Sequence, residues 1–177
     1  SDYIEALSEA DTVILDKTGT VTLGHPMVVS VIPLNGRVSA KEIVQLAAAA
    51  EETSSHPLAR AIMDKNSLNG SMIPKHGETV NTVGRGVACT VRRSLVRVGN
   101  MRFMNECGIS TDALSSKAAG MSLEGQSVVY VARGNKMLGL LGISDPLRDK
   151  MKKALNRLRY QGVDDIVMLT GDLEQQA

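Results

Sequence analysis

The chain has 177 residues, of which 43% are apolar and 22% charged, with 20 basic against 19 acidic residues and a net charge of +1. That apolar share supports one large or two small packed domains and excludes wholesale disorder. Balanced charge, no Trp, one Phe and three Tyr exclude a surface built on cations and stacking rings, so no nucleic-acid partner is expected. No apolar run reaches the roughly 18 residues of a membrane span, and no basic–apolar leader opens the chain.

Thr12–Leu15 is a short apolar run that predicts a strand, and it runs straight into Asp16-Lys17-Thr18-Gly19-Thr20. Met27–Ile32 predicts a second strand, closed by Pro33 and the turn pair Asn35-Gly36. Ser39 and Glu42 form a capping box for a helix through the Ala47–Ala50 run. Thr53–Pro57 breaks that helix and starts another from Leu58 to about Lys65, with Ser55 as its expected cap and Pro57 in its first turn. The polar stretch 66–75 reads as a loop. Strands are expected at Thr79–Val83, Val87–Val91 and Leu95–Val98, with Gly84 and Gly86 between the first two, and short helices at Asn100–Cys107 and Thr111–Ala119. Gln126–Ala132 and Lys136–Leu141 flank Gly134-Asn135 as a hairpin. Pro146 opens an amphipathic helix with Leu147, Met151, Leu155 and Leu158 on one side. Asp165–Leu169 predicts a last strand, ending in Thr170-Gly171-Asp172.

The two outer strands thus both end in a loop of Thr, Gly and Asp. Parallel α/β sheets bind ligands outside the carboxyl ends of their strands, so the two loops are expected to share one crevice. The fold class expected is α/β: a Rossmann-type part made of residues 1–25 and 141–177, interrupted by an α+β insert at 26–140 with an antiparallel sheet. An Asp on a strand tip can attack a phosphoryl group. Gly19 permits a tight turn that aims backbone N–H groups at a phosphate, Lys17 neutralises charge, and Thr18, Thr20 and Thr170 supply hydroxyls. Cys89 and Cys107 stand 18 positions apart, which fits neither a metal motif nor a disulfide framework, so both read as free thiols. The nine Met read as core filler.

Asp16-Lys17-Thr18-Gly19-Thr20 resembles the phosphorylation motif of P-type ATPases, carried on their haloacid-dehalogenase-like domain. Thr170-Gly171-Asp172 is similar to that family's second phosphate-binding motif, and Asp145-Pro146-Leu147-Arg148 to its hinge motif. Within the insert, Ser55-His56-Pro57-Leu58 resembles the His-Pro signature of the heavy-metal-transporting class, with Glu51 before it, Gly84-Arg85-Gly86 as its Gly-x-Gly and Asn100 as its later Asn. Taken singly, His56 reads equally as a cap or a core histidine, and Gly84-x-Gly86 as a loop; their order along the chain is what makes the resemblance specific. It implies an ATP pocket with Glu51 and His56 near the adenine, Gly84 and Gly86 letting backbone approach, Asn100 on the sugar side, and Asp145 and Arg148 at the hinge. It implies Asp16 as nucleophile, Lys17, Thr170, Gly171 and Asp172 around the phosphoryl group, and Mg²⁺ held at Asp16 and Thr18.

The resemblance further implies a cytoplasmic part of a membrane pump for copper, zinc or cadmium, partnered by ATP, the metal ion and the pump's other domains. The family's phosphorylation domain continues through a Gly-Asp-Gly motif and a Lys that this sequence lacks, and Leu173 follows Thr-Gly-Asp where the family usually has Asn, so the chain is expected to be a catalytically incomplete piece. Two other readings stand beside it. A haloacid-dehalogenase phosphatase would carry an Asp two residues after the nucleophile, where Thr18 stands, and so would lack a base to activate water. A non-catalytic nucleotide-binding module is the third. Between Glu78 and Glu106 there is no acid but Arg85, Arg92, Arg93, Arg97 and Arg102, which predicts a locally positive sheet suited to a triphosphate.

Overall fold

The computed structural model describes residues 12–15, 25–160 and 165–168. The chain divides into two compact units, Pro26–Ser144 and the remainder at either side of it. In the larger unit the strands are β2 (Met27–Pro33), β3 (Val80–Thr82), β4 (Gly86–Val91), β5 (Ser94–Gly99), β6 (Ser127–Arg133) and β7 (Lys136–Ser144). They form one antiparallel sheet in the order β2-β7-β6-β5-β4-β3. Its helices are α1 (Ala40–Glu51), α2 (Pro57–Leu68), α3 (Met101–Glu106) and α4 (Ser115–Leu123), the last preceded by a 3₁₀ turn at Asp112–Leu114.

Strand alternation sends side chains to two faces, and both are covered. On β6, Val129 and Val131 pack with Ile43, Val44, Leu46, Ala47 and Ile62 of α1 and α2. Tyr130 and Ala132 pack instead with Phe103, Met104, Leu114, Ala118 and Met121 on the other face. β7 is buried without interruption from Leu138 to Ser144 because it lies between β2 and β6 with both faces covered, and this is why the strand runs beyond Leu141. Ser39 caps α1 by accepting the Glu42 N–H at 3.1 Å. Ala47–Ala50 are fully buried, their small side chains letting α1 lie close on the sheet.

Three local features differ from the sequence expectations. The cap of α2 is His56, not Ser55: Pro57 at the first helical position has no N–H, and His56 Nδ1 accepts the next one, from Leu58, at 3.1 Å. The same helix continues past Lys65 to Leu68, because Asn66 is buried there and donates to the Ser71 carbonyl at 3.0 Å. The stretch from Thr111 begins as a 3₁₀ turn and becomes helical only at Ser115.

In the smaller unit, β1 (Thr12–Leu15) and β8 (Asp165–Met168) pair in parallel, from Thr12 opposite Asp165 to Leu15 opposite Met168. Helix α5 (Pro146–Tyr160) precedes β8. Lys150, Lys153 and Arg157 are exposed along it while Leu158 is buried, as its amphipathic pattern requires. The residues assigned to phosphoryl chemistry, Asp16, Lys17, Thr18, Thr170, Gly171 and Asp172, lie outside the described residues. Asp145 is half-buried just before α5; of Arg148 only the helical backbone is described.

Candidate functional site

A cavity of about 330 Å³ opens in the larger unit, and Glu51, His56, Gly84, Gly86 and Asn100 all line it. They converge from three places. Glu51 ends α1 and His56 caps α2, so a single helix–helix corner presents both. Gly84 lies in the β3–β4 turn and Gly86 opens β4, and Asn100 follows β5. Leu58, Ile62, Val87, Val98 and Val129 give the cavity an apolar lining. Sequence reasoning missed these five because their helical and alternating spacing is that of any core residue.

The helix corner offers reactive groups. Desolvation raises the Glu51 carboxyl above the ordinary glutamate range, a hydrogen bond with Ser54 pulling the other way. His56 Nδ1 is committed to the Leu58 N–H, which puts the ring proton of the neutral form on Nε2. The corner therefore presents a carboxyl and an imidazole N–H beside an apolar slot, a set suited to a flat heteroaromatic ring.

The opposite wall is made of backbone. Gly84 has φ +73°, and a Cβ built on it would meet nothing within 4 Å, so its front is open. Gly86 is different: it pairs with Gly99 across the β4–β5 ladder, and a Cβ there would meet the Val98 carbonyl, with Gly99 Cα and Phe103 Cδ2 each at 2.7 Å. Its missing side chain makes room for β5 and Phe103. The Asn100 side chain is engaged at both ends, its Oδ1 accepting the Phe103 N–H at 2.9 Å and its Nδ2 donating to the Gly84 carbonyl at 2.9 Å. The Asn100 N–H donates to the Arg85 carbonyl at 3.0 Å. Asn100 thereby caps α3 and fixes the turn that carries Gly84.

Two of the five arginines share one carboxylate. Arg85 pairs with Glu106 at 2.8 Å, and Arg102 approaches the same carboxylate at 3.5 Å. Arg97 donates to the Gly134 carbonyl at 3.1 Å. Arg92 and Arg93 make the β4–β5 turn, with φ of +50° and +70°. Glu106 lies far from Arg85 in the chain, so absence of acids in one window did not measure the charge around it. Among the described residues no three His, Cys, Asp or Glu side chains converge as a metal site, and Cys89 and Cys107 are free. A second cavity of about 380 Å³, between β2 and the helices at Val28, Val31, Val44, Lys41 and Lys65, contains none of the residues singled out by sequence.

The family model for haloacid dehalogenase-like hydrolases matches residues 10–177. The chain is 35% identical over 176 residues to a copper-exporting P-type ATPase of Bacillus subtilis, covering 99% of this chain and 22% of that protein. It is 37% identical over 174 residues to a silver exporting P-type ATPase of Salmonella typhimurium, covering 97% of this chain and 21% of that protein. The chain thus spans about a fifth of the length of these curated relatives. Among solved structures, a zinc-transporting PIB-type ATPase in its E2.Pi state superposes with a TM-score of 0.74 at 32% identity, over 96% of this chain and 27% of that one. The N-domain of HMA6, a copper-transporting P-type ATPase, gives 0.58 at 27% identity, over 68% of this chain and 99% of that one.

Proposed function

The chain belongs to the haloacid dehalogenase-like hydrolases, and from that membership we propose that it is the ATP-binding and phosphorylation region of a P-type pump for a heavy-metal ion of the copper, silver or zinc kind. One observation carries the reading: five motif residues scattered from 51 to 100 line one cavity with an apolar slot. Adenine enters that slot, with the Glu51 carboxyl and His56 Nε2–H as polar partners for the ring and the open front of Gly84 giving room beside it. Asn100 and Gly86 shape the wall. We assign residues 26–140 to the nucleotide-binding domain and 1–25 with 141–177 to the phosphorylation domain, with Asp145 and Arg148 at the hinge.

In the pump, Asp16 attacks the γ-phosphoryl group in line and ADP leaves. Lys17 and Thr170 offset the charge on the transferring oxygens, and Gly171 and Asp172 belong to the same sequence motif as Thr170. The Asp16 carboxylate and the Thr18 hydroxyl are hard oxygen donors of the kind Mg²⁺ prefers, and the ion held there would neutralise phosphoryl charge. Thr18, in place of a second carboxylate, leaves no base to hydrolyse the aspartyl phosphate at once, which suits a pump better than a phosphatase. No helix among the described residues is long and apolar enough to cross a membrane, and we place this region on the cytoplasmic face, with the membrane path in other parts of the pump.

Calorimetric titration with ATP tests the reading. The wild-type chain should bind, and the double variant Glu51→Ala/His56→Ala should lose about thirtyfold in affinity, the sum of two losses near 1 kcal/mol each. Unchanged affinity in the double variant would sink the assignment.

A further inference from the structure

Outside the cavity, the segment leading into β3 holds a cluster that the nucleotide reading does not use. The ring of His76 has both nitrogens against acceptors: Nδ1 lies 2.8 Å from the Gly77 carbonyl oxygen and Nε2 lies 2.7 Å from Glu52 Oε1. A neutral imidazole carries one N–H and one lone pair, so it satisfies one of these partners and repels the other. Only the imidazolium donates to both. With the His76 side chain 12% exposed, there is little water to mediate the mismatch. Cys89, fully buried on β4, fills the remaining side, its Sγ 3.3 Å from Nδ1 and 3.3 Å from the Gly77 carbonyl.

The cluster is fastened to the cavity through α1. Glu52 is the residue after Glu51 and the C-cap of α1. From the same segment as His76, Thr79 Oγ1 donates to the Ala50 carbonyl at 3.3 Å. Residues 76–79 therefore grip the end of α1 on both sides of Glu51, at Ala50 and at Glu52. We infer that His76 is a positioning residue for the cavity: in its protonated form it pins the end of α1 and so fixes Glu51, and its deprotonation loosens that grip and weakens nucleotide binding. The inference rests on the nucleotide reading above.

The groups facing the ring are Glu52 from α1 and Cys89 from β4; on its own segment the neighbouring charges are Lys75 and Glu78, both exposed. The Glu52 hydrogen bond, then the Gly77 carbonyl, hold the imidazolium to higher pH than an ordinary histidine. With a raised value in the folded state, the grip is complete at and below the ordinary histidine range and is lost as pH rises through the raised value.

Binding and protonation must be reciprocal: if the imidazolium improves nucleotide affinity, nucleotide must raise the pKa of His76 by the same factor. The test is a histidine-detected NMR titration of the full chain, with and without saturating ADP, beside ADP affinities from about pH 6 to about pH 8. We expect ADP to raise the His76 pKa by about half a unit, and affinity to fall about threefold across that range. In His76→Gln the part of the pH dependence that follows the His76 titration should vanish, a response that a merely structural side chain would not give. If that variant fails to fold, the wild-type titration decides alone. A His76 pKa unmoved by ADP, in a chain whose ADP binding still depends on Glu51 and His56, would overturn this inference and leave the pocket standing. No ADP binding at any pH would remove the pocket as well.

Discussion

The two walls of the cavity are built by opposite strategies. On the helix side, Glu51 presents a half-buried carboxyl bonded to Ser54, and His56 keeps its Nε2 unspent by the hydrogen bond that holds its ring. On the strand side, Gly86 is filled by Gly99 and Phe103, and Asn100 directs its side-chain amide at Phe103 and Gly84. Residues of one motif set therefore divide into those that meet a ligand and those that hold a wall. Substitution on the helix side should cost binding, and substitution on the strand side should cost stability first.

Gly86→Ala should break the comparison most visibly. Its Cβ would collide with the backbone of β5, which cannot yield as a flexible side chain does, so about 3 kcal/mol of stability or more should be lost in denaturant unfolding. An alanine tolerated there would mean that Gly86 serves ligand approach after all. Asn100→Ala should cost about 1–2 kcal/mol, from the lost cap of α3 and the released Gly84 turn, with weaker nucleotide binding following from the loosened wall. Gly84→Ala is the control: with open space around it, the cost is only that of a positive φ, about 1 kcal/mol.

The helix wall is sharpened by pH. Since burial raises the Glu51 carboxyl, the folded chain holds that proton more tightly than the unfolded chain. Its contribution to stability therefore falls as pH rises from the ordinary glutamate value through the raised one, and stays low above it. Glu51→Gln should be more stable than wild type at neutral pH and should lose that step in a pH series of thermal unfolding; a wild-type profile without the step would contradict the desolvation account. Smallest of all, Asp16→Asn should leave ATP affinity within about twofold, because among the described residues the lining falls between 51 and 129.

Much of the site could be read from the sequence because it depends on local chemistry. Ser39 and Glu42 announce the start of α1, and Pro57 fixes where α2 begins, so the corner bearing Glu51 and His56 follows from short-range rules. What escaped was one local choice and several long-range contacts. Ser55 competes with His56 as a cap on composition alone, and only the geometry of Nδ1 against the Leu58 N–H decides between them. The role of Gly86 depends on a β-ladder partner 13 residues away, and the pairing of His76 with Glu52 spans 24 residues. The arginine-rich window looked uniformly positive until folding brought Glu106 against Arg85.

The most direct test of the cavity as a nucleotide site is a backbone amide NMR map of the chain during titration with ATP. The account predicts that the largest shifts fall at Glu51, His56, Gly84, Arg85 and Asn100, with smaller ones at Val98 and Val129 that line the slot. Shifts concentrated instead around Ser30, Lys41 and Lys65, at the second cavity, or no saturable shifts at all, would contradict it.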